Sequence, residues 1–185
     1  MTTRTPEGVA RRVGVESFQR VIFSEADIRV RVEAMGEEIT RHYGEGTPLL
    51  VLGLLKGSFI FLADLVRTIH LPLQVDFLVA SSYGADTVSS GEVQLLYDPD
   101  TTFRDRHVLL VEDIVDSGNT LNRLVPLLRE RGPRSLEICA LLHKRLTTME
   151  TEARWVGFDC PSEFVVGYGL DHAENFRHLP FIGSL

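Results

Sequence analysis

Three carboxylates, Glu112, Asp113 and Asp116, stand directly before Ser117, Gly118, Asn119 and Thr120 in this 185-residue chain. Gly118 permits a tight turn from which a helix can start. The unpaired backbone amides at a helix start form an anion site, and the Ser117 and Thr120 hydroxyls add donors. Two adjacent acids, Glu112 and Asp113, would repel a phosphate at close range. They suit the hydroxyls of a sugar, or a hard cation such as magnesium. The segment therefore sets a place for a phosphate beside a place for a diol and a metal, a combination that fits a ribose 5-phosphate. An ordinary acidic helix cap would need only one or two of these residues.

Two other phosphate motifs are absent. Lys56-Gly57-Ser58 has the wrong order for a Walker loop. Gly167-Tyr168-Gly169 is followed by Leu170-Asp171-His172 and no third glycine, so the dinucleotide pattern fails as well. The six histidines form no ligand pair at helical spacing and read as structural or exposed.

The acids need a scaffold, and the chain supplies alternating strands and helices. Residues 108–111, all aliphatic, read as a strand buried on both faces. In open α/β sheets ligands bind beyond the carboxyl ends of such strands. Helical spacing is predicted over residues 24–43, with Ser24 and Asp27 as a variant capping box and Gly44 and Gly46 as the stop. It is predicted again over 58–69 and 117–131. Strands are expected over 49–54, 75–80, 93–97, 107–111, 136–142 and 164–166. Residues 81–92 are polar and carry glycine, and read as a long functional loop whose returning strand is 93–97. The expected fold is α/β: one domain with a largely parallel central sheet flanked by helices, and an antiparallel excursion at 81–97. Residues 1–17 read as a flexible N-terminal leader and 18–185 as the domain.

Composition narrows the function classes. Apolar residues make up 44% and charged residues 24%, ordinary globular usage. A net charge of −7 disfavours a non-specific nucleic-acid binder, which needs a basic face, but permits a small anionic substrate in a locally positive pocket. Cys139 and Cys160 match no zinc or redox spacing and read as reduced thiols. No stretch approaches the roughly 20 apolar residues of a membrane helix, and the N-terminus lacks a signal-peptide core, so a cytoplasmic location is expected.

Residues 112–121 resemble the phosphoribosyl-pyrophosphate motif of type I phosphoribosyltransferases. Residues 53–58 (GLLKGS), 81–84 (SSYG), 142–145 (LHKR) and 164–177 (FVVGYGLDHAENFR) extend the resemblance to the bacterial hypoxanthine (hypoxanthine-guanine) phosphoribosyltransferases, across about residues 20–185. The first motif is shared by the wider superfamily; the C-terminal stretch is similar to the 6-oxopurine branch. The resemblance implies the type I fold with a small hood region and a mobile antiparallel loop.

It also implies a reaction: a purine base attacks the anomeric carbon of phosphoribosyl pyrophosphate and pyrophosphate leaves. By resemblance, Asp116 is the general base, and Glu112 and Asp113 hold the ribose hydroxyls directly or through magnesium. Asp116, Ser117, Gly118, Asn119 and Thr120 form the 5-phosphate loop. Lys144 donates to the purine six-position carbonyl, Phe164 stacks on the base, and Val165, Leu170 and Asp171 belong to the base pocket. Asp171 is also a magnesium ligand with Glu112 and Asp113. Lys56, Gly57 and Arg177 contact pyrophosphate, with a non-proline cis bond expected at Lys56-Gly57. Ser82 and Tyr83 are the tip of the closing loop. Tyr97 replaces a lysine common in relatives. A homodimer or homotetramer is implied. Two alternatives stay open at this point: a phosphoribosyltransferase for another base such as xanthine, and a phosphoribosyltransferase-like RNA-binding regulator.

Overall fold

The computed structural model describes residues 18–82, 93–145 and 152–185. Twelve elements run along the described chain: β1 (Arg20–Phe23), α1 (Glu25–Tyr43), β2 (Leu49–Leu55), α2 (Phe59–Val66), β3 (Leu73–Ser82), β4 (Val93–Tyr97), β5 (His107–Val115), α3 (Asn119–Arg129), β6 (Ser135–His143), β7 (Trp155–Asp159), β8 (Val165–Val166) and β9 (Ile182–Ser184). Six strands form one sheet in the order β4-β3-β2-β5-β6-β7, parallel except for β4. A second sheet, β1-β9-β8, is antiparallel and makes the small hood.

Strand alternation explains the two cores. On β2, Leu49 and Val51 point to the face covered by α1 and α2, joined there by Val32, Met35, Phe61 and Leu65. Leu50 and Leu52 point to the other face, where α3 brings Leu121, Leu124, Val125 and Leu128. Most of these side chains are wholly buried, and each fully buried aliphatic stabilises the fold by roughly 1.5–3 kcal/mol relative to exposure. Helix α1 starts as its sequence predicts. Ser24 Oγ accepts from the Asp27 amide at 3.2 Å, and Asp27 Oδ2 accepts from the Ser24 amide at 3.1 Å.

The boundary that matters most differs from the sequence expectation. Strand β5 does not stop at Val111. It continues to Val115, so Glu112 and Asp113 lie on the strand and not in a loop beyond it. The reason is asymmetric pairing. β2 pairs with β5 only as far as Gly53 with Val111, whereas β6 keeps pairing through Glu112 with Ala140 and Val115 with His143. Past Gly53, β2 stays paired with β3 as far as Leu55 with Val79 but no longer with β5, so the acids have a strand neighbour on the β6 side alone.

Other differences are smaller. The helices expected at 58–69 and 117–131 are shorter, at Phe59–Val66 and Asn119–Arg129. Strands β1, β7 and β9 were not expected; each is short, and β1 and β9 pair with each other across nearly the whole chain. The cis peptide joins Leu55 to Lys56, one bond before the expected Lys56-Gly57. Neither bond involves proline, so residue type does not distinguish them. Tyr83 and the leader at 1–17 lie outside the described residues. Among the described residues no helix is long and apolar enough to cross a membrane.

Candidate functional site

The carboxyl ends of β2, β5 and β6 converge with one turn of the hood. β5 delivers Glu112, Asp113 and, just past its end, Asp116. Glu112 is buried; burial first, then the neighbouring negative Asp113, pushes its carboxyl well above the usual carboxylate range. Its Oε1 accepts from the Asp113 amide at 3.3 Å, and Asp113 Oδ1 accepts from the Ile114 amide at 2.9 Å. These contacts hold the pair in register along the strand.

The turn into α3 is the candidate anion site. Gly118 is the N-cap, at φ 74°, and no side chain caps the helix. The Asn119 amide makes a long contact to Ser117 Oγ (3.4 Å), and the amides of a helix start are suited to an anion. The cleft there has a volume of about 220 Å³, and its lining includes Gly57, Glu112, Asp113, Asp116, Gly118 and Thr120.

The end of β6 adds a cation. Lys144 Nζ lies 3.2 Å from Asp116 Oδ2; the lysine side chain is only 10% exposed, the aspartate 54%. The Lys144 amide also donates to the Val115 carbonyl at 2.9 Å, which ties the two strand ends together. Next to it His143 is buried, and its Nδ1 accepts from the Arg145 amide at 2.8 Å. Burial, and then the Arg145 charge, lower the imidazole below its ordinary value.

On the β2 side, Gly57 touches the acids. A Cβ there would fall 1.6 Å from Asp113 Oδ2, so no other residue fits without displacing that carboxylate. Gly169, in the hood turn at φ 103°, closes on Gly57 from the opposite side: a Cβ at Gly169 would fall 2.1 Å from the Gly57 carbonyl oxygen. The same turn carries Arg177, whose Nη1 donates to the Gly169 carbonyl at 2.8 Å and whose Nη2 lies 2.9 Å from Asp171 Oδ1. Lys56 reaches the turn through Glu174, with Nζ 3.0 Å from Oε1. Glu174 Oε2 lies 3.2 Å from Arg177 Nη2. Hydrogen bonding to Lys56, then to Arg177, lowers the Glu174 carboxyl below its usual value.

The sequence-derived candidates thus fall into connected groups. Gly57 and residues 112–120 share the cleft, Lys144 joins through Asp116, and Lys56, Asp171 and Arg177 join through Glu174. Phe164 is half exposed and meets the His172 ring edge-on, with centroids 5.3 Å apart. Val165 and Leu170 are packed into the main core and offer little surface to a ligand. Ser82 ends β3. Among the described residues no group of three acids, histidines or cysteines is set to hold a metal. Glu174 and Tyr168 were not singled out from sequence. The backbone around Glu174 would have been the only clue, because Ala173, Glu174 and Phe176 all have positive φ, and residue type does not announce it.

Known proteins resemble this chain over most of its length. The model of the phosphoribosyl transferase domain matches residues 25–173. The hypoxanthine-guanine phosphoribosyltransferase of Dictyostelium discoideum is 46% identical over 90% of this chain and 95% of its own length. The hypoxanthine phosphoribosyltransferase of Salmonella typhimurium is 45% identical over 89% of this chain and 94% of its own. A crystal structure of a hypoxanthine-guanine phosphoribosyltransferase from Bacillus anthracis superposes with a TM-score of 0.86 at 41% identity, covering 91% of this chain and 99% of that one.

Proposed function

Since the chain belongs to the phosphoribosyl transferase domain family, we propose that it makes IMP or GMP, with pyrophosphate, from hypoxanthine or guanine and 5-phosphoribosyl 1-pyrophosphate. It is a purine salvage enzyme. The observation that carries this best is the 3.2 Å contact between Lys144 Nζ and Asp116 Oδ2, a cationic donor and a carboxylate acceptor from two strands at one mouth. A 6-oxopurine offers both partners: a carbonyl for the ammonium and an imidazole N–H for the carboxylate. An exocyclic amine at the six position would leave Lys144 without an acceptor, which disfavours aminopurines.

The remaining residues take roles around that pair. The base stacks on Phe164, with Val165 and Leu170 backing the pocket. Residues 117–120 and the first turn of α3 hold the 5-phosphate, and Glu112 and Asp113 hold the ribose hydroxyls. As the bond from the purine nitrogen to the anomeric carbon forms and the bond to pyrophosphate breaks, Asp116 takes the imidazole proton. General-base help of this kind is worth about 100–10,000-fold. Lys56, Arg177 and the Gly57 backbone face the charge that grows on the leaving group.

Magnesium fits this donor set. The Glu112 carboxyl, raised by burial and then by Asp113, forms with Asp113 an acid pair that a divalent cation would stabilise, and magnesium needs only one or two protein carboxylates when substrate oxygens complete its shell. Glu112 and Asp113 would hold it at the ribose hydroxyls, and Asp171 would hold one on the pyrophosphate side. When bound, it supplies positive charge against the pyrophosphate oxygens. The same reading carries a cytoplasmic enzyme assembled as two or four copies.

A steady-state comparison of hypoxanthine, guanine and xanthine tests the assignment. Turnover with hypoxanthine or guanine, and little with xanthine, is expected. If neither hypoxanthine nor guanine releases pyrophosphate, the assignment is wrong.

A further inference from the structure

Tyr168 stands one residue before Gly169, and its side chain leaves the site already described. It is buried, at 6% exposure, yet its backbone is in the left-handed region at φ 51°, which a bulky residue seldom adopts. Its hydroxyl donates to Asp64 Oδ2 at 2.7 Å. Asp64 lies on α2, the helix that grows directly out of the Lys56-Gly57-Ser58 turn. The contact borders a second cavity of about 890 Å³ between α1, α2 and the hood, lined among others by Asp64, Thr68, Tyr168, His178 and Leu179. The mechanism above uses neither residue.

The geometry joins this hydrogen bond to the leaving-group wall. The hood turn is internally rigid: the Tyr168 amide donates to the Leu179 carbonyl at 2.8 Å, the Gly169 amide to the Arg177 carbonyl at 3.0 Å, and Gly167 and Leu170 bond each other. The Lys56-Gly57 turn is fixed to α2, with the Phe59 amide donating to the Lys56 carbonyl at 3.3 Å and Ser58 Oγ to the Leu54 carbonyl at 2.6 Å. The two rigid pieces meet backbone to backbone where Gly169 packs on the Gly57 carbonyl. Beside that meeting point the Tyr168–Asp64 hydrogen bond ties one piece to the other by side chains.

We propose that Tyr168, through its hydroxyl bond to Asp64, is a positioning residue that sets the Gly57 backbone and Arg177 against pyrophosphate. It touches no reacting atom. It fixes the spacing between the turn that carries Arg177 and the turn that carries Lys56 and Gly57. The proposal rests on the pyrophosphate role assigned above to Lys56, Gly57 and Arg177.

The test uses the full-length protein with Tyr168→Phe, Asp64→Ala and Asp64→Asn. Inorganic pyrophosphate binding is measured by calorimetry, and KM and kcat for both substrates are measured with thermal midpoints. One lost hydrogen bond of this kind corresponds to about 3–10-fold. Tyr168→Phe and Asp64→Ala should each weaken pyrophosphate binding and raise the KM for phosphoribosyl pyrophosphate by that factor. The KM for hypoxanthine should stay within about 2-fold, and the double variant should be no worse than either single one. Asp64→Asn keeps a carbonyl acceptor and should restore near-native binding. Unchanged pyrophosphate binding in Tyr168→Phe, or an equal rise in both KM values, overturns the positioning role. Lys56→Ala and Arg177→Ala serve as controls in the same assay. If they leave pyrophosphate binding untouched, the assigned wall fails and this proposal with it. If they weaken binding while Tyr168→Phe does not, only the positioning role fails.

Discussion

Lys56 Nζ and Glu174 Oε1 lie 3.0 Å apart across 118 positions of the chain, and the second oxygen of the same carboxylate lies 3.2 Å from Arg177 Nη2. The two cations assigned to the leaving group are thus bridged by an internal anion. An incoming pyrophosphate has to compete with it.

Removing that competitor should help binding. Glu174→Gln is expected to tighten inorganic pyrophosphate by about 2–5-fold, the modest size typical of exposed ion pairs. The gain should shrink as salt is raised, because the Lys56–Glu174 pair is exposed and screened. Calorimetric titration at low and high ionic strength checks it; a weaker complex at low salt would show that Glu174 organises the cations and does not block them.

Asp116 should separate catalysis from stability. Asp116→Asn is expected to lower turnover about 100-fold or more while the fold survives, since the amide oxygen still accepts from Lys144. Asp116→Ala leaves the mostly buried ammonium without this partner and should be less stable than Asp116→Asn by about 1 kcal/mol. Denaturant midpoints and initial rates read the two effects. Near-native turnover in Asp116→Asn would remove it from the base role.

Chelation should abolish activity. Excess EDTA is expected to reduce pyrophosphate release to background, and added magnesium to restore it. Full activity in excess chelator would contradict the metal role given to Glu112, Asp113 and Asp171.

His143 predicts a pH dependence of stability. Its folded value is lowered, by burial and then by Arg145, so the unfolded chain takes up a proton more readily. The stabilisation is complete above the ordinary histidine value, near 6.5, and is lost as pH falls from there through the lowered folded value. Protonation would also cost the Nδ1 acceptor used by the Arg145 amide. His143→Asn should flatten the slope of stability between about pH 7 and 5, while His107, lowered mainly by burial, still contributes. An unchanged slope would assign the effect elsewhere.

Much of the scaffold was legible because it obeys local rules. The aliphatic runs of β2 and β5, the capping box at Ser24 and Asp27, and the glycine turn before α3 all follow from short windows of sequence. The hood was not legible. β1 and β9 are short, lack a periodic pattern, and exist only because they pair across more than 160 positions. At the site, the grouping of the acids with the glycine turn was legible from residue types, because they lie within nine positions. The roles of Lys144, Phe164 and Arg177 needed the family resemblance. Glu174 and Tyr168 escaped, since an exposed acid and a buried tyrosine look ordinary until backbone geometry places them beside Lys56 and Gly57. The end of β5 escaped for a related reason: how far a strand runs depends on which neighbour keeps pairing with it.

Strand β9 is the middle strand of the hood, between β1 and β8. During synthesis it leaves the ribosome after every other described element. β1 and β8 each pair with β9 and not with each other, so the hood closes only through this strand. The segment that carries Phe164 is tied to the end of this strand, with the Leu185 amide donating to the Phe164 carbonyl at 3.1 Å. Phe164 therefore depends on the last described strand for its place, whereas the cleft at β5 and α3 is lined only by residues that precede it.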